Sequence, residues 1–237
     1  MICALVDERI DDASERALTL RGFRVIRLPA SKSLTAPIAS HPDMLAFYYK
    51  NKIITSAEYC ERAPYVFSDL RELLPSVSVS FTDESPEEKY PRDAIFNALP
   101  IGKYLFCKAD TVSKSVLEYA RDCGLEIVAT RQGYPACTTL AFGNSAITAD
   151  PGMANALTAA GITVTVIKNG NIELPPYDYG FIGGAAGVFK NTVYFLGNID
   201  THPDAESILA AIAAEGFSAV SLSDGPLRDL GRIIFID

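Results

Sequence analysis

One of the five cysteines differs from the others because it follows a loop rich in glycine and proline. The loop runs from Gln132 to Cys137, and the sequence predicts Cys137 at the first position of an apolar strand that includes Leu140 to Phe142. A cysteine in such a loop can serve as a nucleophile if a nearby cation lowers the pKa of its thiol. The alternative is a small apolar residue that is buried and inert.

The sequence His41-Pro42-Asp43 contains one of only two histidines in the chain. A histidine can transfer protons near neutral pH, and Asp43 can orient it or bind substrate. The same tripeptide can also form a turn in which Asp43 accepts backbone hydrogen bonds. The second histidine, His202, lies in a pattern typical of a helix start, so we interpret it as structural.

Two further acids, Asp93 and Asp229, each follow an arginine. A salt bridge to that neighbouring arginine, Arg92 or Arg228, is one interpretation. On an extended backbone, however, adjacent side chains point to opposite faces. Both aspartates would then be free to bind a cationic group.

Small residues dominate the stretch from Gly183 to Gly187. A phosphate-binding loop would need a following helix and a Lys-Ser/Thr pair, and neither is expected here. Gly183 and Gly184 are therefore predicted to let the backbone approach a ligand closely, as part of a substrate-binding surface. The preceding segment, 173–179, is rich in proline and tyrosine and is either a cover for the site or a rigid surface connection.

The elements around Cys137 form one unit of strand, strand, helix and strand. Gly143-Asn144 predicts a tight turn between the first two strands. Asp150 predicts the N-cap of a helix that Gly161 ends, and the alternating residues 162–167 predict the last strand.

This unit recurs along the chain. Its copies begin near Asp43, Asp93, Cys137, Gly184 and Asp229, spaced by roughly 44 to 50 residues, a period typical of propeller-like repeats. The units lie near 41–82, 90–131, 133–168, 181–223, and 225–237 joined with 1–29. WD-type blades share the period but contain no helix. The sequence therefore predicts a single α/β domain over 1–237: a five-bladed α/β propeller of ββαβ units with pseudo-fivefold symmetry, its ring closed by the N- and C-terminal segments.

Composition limits the partners. The chain has 21 Lys and Arg against 29 Asp and Glu, a net charge of −8. This balance disfavours nucleic acid and anionic membranes and suits a small cationic molecule. The sequence has no basic and apolar leader and no apolar run of membrane-spanning length, so we expect a cytoplasmic protein with reduced thiols. It has no CxxC spacing, and we expect neither a metal nor another cofactor.

The arrangement resembles the pentein fold of the guanidino-group modifying enzymes, which include arginine and agmatine deiminases, dimethylarginine hydrolases and amidinotransferases. Four stretches look like an uncharacterised bacterial branch of this fold: Ser40 to Met44, Gln132 to Tyr134, Tyr179 to Gly184 and Pro226 to Gly231. The resemblance implies a cysteine-dependent enzyme that acts on a small guanidino or amidino compound, either a deiminase-like hydrolase or an amidinotransferase. Either enzyme would act through a covalent thiouronium-type intermediate.

The resemblance also implies a role for each candidate residue. Cys137 would attack the guanidinium carbon and His41 would transfer protons, with Asp43 orienting His41 or binding substrate. Asp93 and Asp229 would bind the cationic group.

A different assignment of the units to the family pattern is also open. If Asp93 corresponds to the acidic residue that these enzymes carry early in the chain, the catalytic histidine should fall near Gly183 and Gly184, where there is none. The catalytic cysteine should then fall near Asp229. This assignment of the units favours a non-catalytic pentein that acts as a ligand sensor or protein-binding module.

Overall fold

The computed structural model describes residues 1–237, along which strands and helices alternate. The strands are β1 Ile2–Asp7, β2 Phe23–Leu28, β3 Ala46–Tyr49, β4 Lys52–Ser56, β5 Ser78–Thr82, β6 Leu99–Ile101, β7 Tyr104–Cys107, β8 Glu126–Ala129, β9 Thr139–Phe142, β10 Ser145–Thr148, β11 Thr163–Val166, β12 Ala186–Phe189, β13 Thr192–Phe195, β14 Ser218–Ser221 and β15 Ile234–Ile236. The helices are α1 Asp12–Leu20, α2 Pro42–Leu45, α3 Ala57–Arg62, α4 Pro64–Leu73, α5 Lys114–Asp122, α6 Pro135–Thr138, α7 Pro151–Ala159 and α8 Ala205–Ala214. Three short 3-10 helices span Ala36–Ile38, Arg92–Ala94 and Ile199–Thr201.

The strands form five separate three-stranded sheets. In each sheet the central strand pairs antiparallel with one neighbour and parallel with the other, and the parallel connection contains a helix. One sheet, β15-β1-β2, combines the two ends of the chain, so that Ala4 lies opposite Phe235 on one side and Val25 on the other. These α/β units fit the predicted ββαβ repeat.

The unit that follows Cys137 shows how local sequence forms these elements. Strands β9 and β10 pair with Leu140 opposite Ile147, and two residues connect them. Asp150 is the N-cap of α7, where its Oδ1 accepts the amide of Met153 at 2.7 Å. That bond satisfies one of the free N–H groups of the first helical turn.

Five clusters of buried apolar side chains fill the spaces between the sheets, and each cluster takes residues from two of them. Representative pairs are Leu5 with Ile53, Ile54 with Leu105, Phe106 with Ala146, Ile147 with Val193, and Tyr194 with Phe235. Burying one large apolar side chain contributes about 1.5–3 kcal/mol. Packing between sheets therefore fixes the unit starts relative to one another.

Three local predictions from the sequence are wrong. Cys137 does not begin a strand but lies in the short helix α6. The pattern after Ile53 to Thr55 predicts one helix that runs to about Leu74, but it is divided into α3 and α4 at Pro64, whose missing N–H cannot continue the first helix. Asp200 or Thr201 is predicted as the cap of the last full helix, but α8 begins at Ala205 and a 3-10 helix over Ile199–Thr201 precedes it.

The helices are short, and the longest two, α4 and α8, have 10 residues each. None has both the length and the apolar character needed to cross a lipid bilayer.

Candidate active site

Three short helical turns, each preceded or begun by a proline, direct side chains into one cavity. They are α2, α6 and the 3-10 helix that follows Pro91. Proline suits the first helical position because the N–H it lacks would have no partner there. The second residue after each proline is Met44, Asp93 or Cys137, and all three line the same cavity.

This first cavity has a volume of about 430 Å³ and is lined by 15 residues. Four of the residues predicted from the sequence are among them: His41, Asp93, Cys137 and Asp229. The volume lies within the range of about 300–1,000 Å³ that is typical of small-molecule sites. These four residues come from four of the five units, and Phe181 from the remaining unit also lines the cavity.

Cys137 is 4% exposed and has a polar environment despite its burial. Its thiol donates to Oδ2 of Asp43 across 2.8 Å, and ligating atoms of His41, Asp43 and Cys137 lie within 4.8 Å of one another. Burial, followed by the carboxylates of Asp43 and Asp229, raises the pKa of Cys137 well above its usual value. With only protein groups around it, Cys137 is therefore a neutral thiol at pH 7.

Asn97 holds the cysteine in place and was missed by the sequence reasoning. Its Nδ2 donates to Sγ of Cys137 at 3.3 Å, and its Oδ1 accepts the amide of Ala136 at 2.8 Å. The residue is 1% exposed. A single amide side chain within the apolar run from Ile95 to Leu99 is the signal that could have identified it, since buried polar side chains need partners.

His41 precedes α2, and its ring is 1% exposed with no hydrogen-bond partner on either nitrogen. The closest carboxylates are those of Asp7, 3.8 Å from Nε2, and Asp229, 3.9 Å from Nδ1. Asp43, which was predicted to orient His41 or to bind substrate, accepts the hydrogen bond from the Cys137 thiol. Burial lowers the pKa of His41 to about 4, although Asp7 opposes the shift, so the ring is neutral at pH 7 and able to accept a proton.

Asp7 was also missed, because its signal is a single acid at the end of an apolar strand. Arg9 holds its carboxylate through two side-chain hydrogen bonds, from Nε to Oδ1 at 2.9 Å and from Nη2 to Oδ2 at 2.6 Å. Burial raises the pKa of Asp7, but the bonds from Arg9 outweigh it and the net pKa is lowered. Asp7 is thus a fixed anion beside His41.

Asp229 is 1% exposed and accepts two backbone amides, from Phe181 at 2.8 Å and from Gly231 at 3.0 Å. Burial raises its pKa to about 7 even though these bonds favour the charged form. Gly231 has φ +66°, and a Cβ at that position would overlap the side chain of His41. The turn after Asp229 therefore depends on glycine to bring the carboxylate and the imidazole together.

Asp93 lies in the 3-10 helix and accepts the hydroxyl of Tyr134 at 2.5 Å on Oδ2. Its Oδ1 has no partner, although the residue is 4% exposed. Burial is the main cause that raises the pKa of Asp93. Asp93 and Tyr134 both line the first cavity.

Gly183 and Gly184, predicted as part of the substrate-binding surface, do not line the first cavity. The amide of Gly184 donates to the carbonyl of Cys137 at 2.9 Å. A Cβ on Gly184 would overlap the carboxylate of Asp229, and one on Gly183 would overlap backbone carbonyls of the α6 region. Both glycines let the backbone pack directly behind Cys137 and Asp229.

Asp43 lines a second cavity of about 200 Å³ together with Arg232, a residue to which the sequence reasoning gave no role in the site. Arg232 is partly buried, has φ +62°, and its Nε has no hydrogen-bond partner. Burial lowers the pKa of this guanidinium, while Asp43 and Cys137 oppose the shift. Burial raises the pKa of Asp43 to about 6, against the thiol bond and the charge of Arg232.

His41, Asp43 and Cys137 are also donors of the types that bind zinc. A metal ion would need the thiolate and would compete with the direct bond between Sγ and Oδ2. The arrangement therefore allows two kinds of chemistry, thiolate attack or metal ligation, and a chelator distinguishes them.

The model of a family described as "Family of unknown function (DUF6873)" matches residues 5–234. No curated protein matches the chain by sequence.

Solved structures resemble the chain over nearly its whole length. A dimethylarginine dimethylaminohydrolase from Pseudomonas aeruginosa, a cysteine-to-serine mutant in complex with citrulline, has a TM-score of 0.59 at 12% identity and covers 94% of this chain and 91% of its own. The amidinotransferase SxtG from Microseira wollei has a TM-score of 0.56 at 13% identity, covering 94% and 77%. The N-terminal domain of ArgZ, a cyanobacterial arginine dihydrolase, bound covalently to a reaction intermediate, has a TM-score of 0.53 at 13% identity, covering 93% and 90%. At these identities the similarity establishes the fold, which is the pentein fold, and the resemblance inferred from the sequence is confirmed.

Proposed function

The chain belongs to the DUF6873 family, a family of unknown function, and has the pentein fold; from the residues of its site we propose that it is a cysteine-dependent enzyme. It hydrolyses a small guanidino or amidino compound or transfers its amidino group. The observation that carries this proposal is the convergence of Cys137, His41 and the carboxylates of Asp93 and Asp229 on one cavity.

The charge of the cavity favours a cationic substrate. Asp93 and Asp229 are buried and have raised pKa values, and no Lys or Arg lines the cavity. A guanidinium is planar and permanently charged, so it can form charge-assisted hydrogen bonds to such carboxylates. Its binding would stabilise their ionised forms and supply the positive charge that a thiolate needs nearby.

The chemistry then follows in balanced steps. The Cys137 thiol loses its proton to neutral His41, directly or by way of the Asp43 carboxylate, and Sγ forms a bond to the central carbon of the guanidinium. The C–N bond to the departing nitrogen breaks, and protonated His41 gives that nitrogen the proton with which it leaves as an amine or ammonia. The product on the enzyme is a thiouronium.

The second half releases the cysteine. In hydrolysis, water attacks the thiouronium carbon and His41 accepts one of its protons. The C–S bond breaks as the C=O bond of the ureido product forms, the hydroxyl proton passes to Sγ, and His41 releases its proton to solvent. In amidino transfer, an amine replaces water in the same step. The acceptor that enters the first cavity decides which reaction occurs.

We also infer that the five units form one closed ring and a single domain over 1–237. The support is the succession of core clusters, each shared by two sheets, and the sheet formed from both chain ends. The cluster that joins Tyr194 and Phe235 and the one that joins Leu5 and Ile53 link the terminal sheet to both of its neighbours.

A second candidate is a non-catalytic pentein that binds a small cation as a sensor. The observation that favours it is the hydrogen bond from the Cys137 thiol to Asp43, since a neighbouring carboxylate opposes thiolate formation. Ligand binding without turnover would support this candidate.

The test is turnover of a panel of small guanidines by the purified protein, followed by release of ammonia, amine or ureido product. We expect turnover in the presence of a chelator, loss of about 10³-fold or more in kcat for Cys137→Ala, and a mass increase on Cys137 in acid-quenched samples. Cys123→Ala is the matched control because Cys123 lies at the end of α5, outside both cavities. Full activity of Cys137→Ala, or complete loss on chelation, would overturn the proposal.

A further inference from the structure

The wall of the first cavity contains four acidic side chains, Glu88, Asp93, Asp178 and Asp229, but no lysine or arginine among its 15 residues. Acidic residues alone do not define a ligand. Here, however, the cavity-lining residues Asp93 and His41 are buried, and Oδ1 of Asp93 and both ring nitrogens of His41 have no hydrogen-bond partner. Because buried polar groups are normally paired, these atoms indicate that the cavity receives a polar ligand.

The cavity has an inner and an outer end. Cys137, His41 and Asp229 are buried at the inner end, whereas Glu88 and Asp178 are exposed. A ligand whose reacting group reaches Cys137 therefore has its other end near Glu88 and Asp178.

Tyrosine rings also surround the outer end. Tyr90 and Tyr177 are each 51% exposed and Tyr179 is 39% exposed, although all three line the cavity. The faces of such rings attract cations. The outer end thus offers anionic and aromatic surfaces, both of which favour a positive charge.

We propose that the site selects guanidino compounds whose far end is an amine or another cation and rejects those whose far end is an α-amino acid. The inference rests on the proposed function for the inner end. An α-carboxylate is usually bound by Arg or Lys, and neither lines the cavity. At the outer end that carboxylate would be repelled by Glu88 and Asp178.

Agmatine and L-arginine provide the test because they share the guanidine and its carbon chain and differ only in the carboxylate. Binding of each to Cys137→Ala is measured by calorimetry at low salt, with 1-butylguanidine as a ligand that lacks both distal charges. We expect agmatine to bind about tenfold or more tightly than L-arginine, which corresponds to about 1.4 kcal/mol. Equal or tighter binding of L-arginine, or no binding of any of the three, would overturn the proposal.

A double substitution tests which residues discriminate. Glu88→Gln with Asp178→Asn should reduce the preference for agmatine over L-arginine to about threefold or less, because the repulsion at the outer end is lost. Glu72→Gln, on the exposed surface of α4, is the matched control and should leave the ratio unchanged. An unchanged ratio in the double variant, with its thermal unfolding intact, would contradict the assignment.

Turnover by the wild-type protein is measured separately. If agmatine binds preferentially but no guanidine is turned over, the proposed function fails and the selectivity stands. If L-arginine is turned over at least as well as agmatine, the selectivity fails and the proposed function stands.

Discussion

Sγ of Cys137 lies 2.8 Å from Oδ2 of Asp43, whereas the carboxylates closest to His41 are those of Asp7 and Asp229. The proton of the thiol is therefore shared with an acid whose own pKa is raised to about 6. This relationship makes the ionisation of Cys137 depend on charge at Asp43.

Asp43→Asn should increase the reactivity of Cys137. Burial is the largest cause of the raised thiol pKa, but the charge of Asp43 is the next, and the amide removes it. We expect the pKa of Cys137 to fall and alkylation by iodoacetamide at pH 7 to become about tenfold faster or more, since a change of one pKa unit alters the thiolate fraction tenfold. Peptide mass spectrometry, with Cys123 as internal reference, measures the rate on Cys137 alone. A slower rate than in the wild type would contradict the charge argument.

Arg232→Gln should have the opposite effect. The guanidinium is the cation that opposes the raised pKa of Asp43, and its loss leaves that carboxylate and the thiolate less stable. Alkylation of Cys137 should slow by several-fold. Glutamine is chosen because it keeps a long polar side chain at position 232, where φ is positive. Arg228→Gln is the control, because Arg228 lines neither cavity.

Binding of a guanidine should release protons between about pH 5 and 7. Burial holds the pKa of Asp229 at about 7 and that of Asp43 at about 6, so both carry protons in this window before the cation binds. The bound cation lowers both pKa values, and the displaced protons are released. Calorimetry in buffers of different ionisation enthalpy should detect about 0.5 to 1 proton per site at pH 6.5 and fewer at pH 8.5. The absence of proton release at pH 6.5 would show that the carboxylates are already ionised before the guanidine binds, which would contradict the prediction.

The stability of Asp229→Asn relative to the wild type should depend on pH. A folded-state pKa of about 7, above the usual value of 3.8, means that the neutral form stabilises the native state below pH 4 and that this contribution is lost as the pH rises through 7. The asparagine side chain of the variant does not ionise, so the variant does not lose stability in this way as the pH rises. Urea unfolding should therefore favour the variant by about 1–3 kcal/mol more at pH 8 than at pH 4, relative to the wild type. A constant difference at both pH values would contradict the raised pKa.

Gly184→Ala should displace Asp229. The new Cβ would overlap the carboxylate, so either the backbone behind Cys137 or the side chain of Asp229 must move. We expect a loss of about 1–3 kcal/mol in the free energy of unfolding and weaker binding of guanidines. Gly225→Ala, where the Cβ would enter open space on an ordinary backbone conformation, is the matched control and should change neither quantity.

The sequence by itself determined the α/β repeat and the residues that head its units. The spacing of Asp43, Asp93, Cys137 and Asp229 indicated that these residues begin equivalent units, and the five three-stranded sheets fit that interpretation. Strand and helix patterns depend on local periodicity, which a single sequence records directly. The helical turns at the unit starts were missed, because a proline followed by small residues is as compatible with a loop as with a short helix.

Tertiary structure decided which side chains pair. The sequence suggested that Asp43 orients His41 or binds substrate. In the structure the carboxylate on α2 contacts Cys137 from another unit, and His41 lies between Asp7 and Asp229. Asn97, Asp7 and Arg232 joined the site only through packing between sheets. Burial, which sets the pKa of each of these groups, is a property of that packing, so no spacing in the chain could have predicted it.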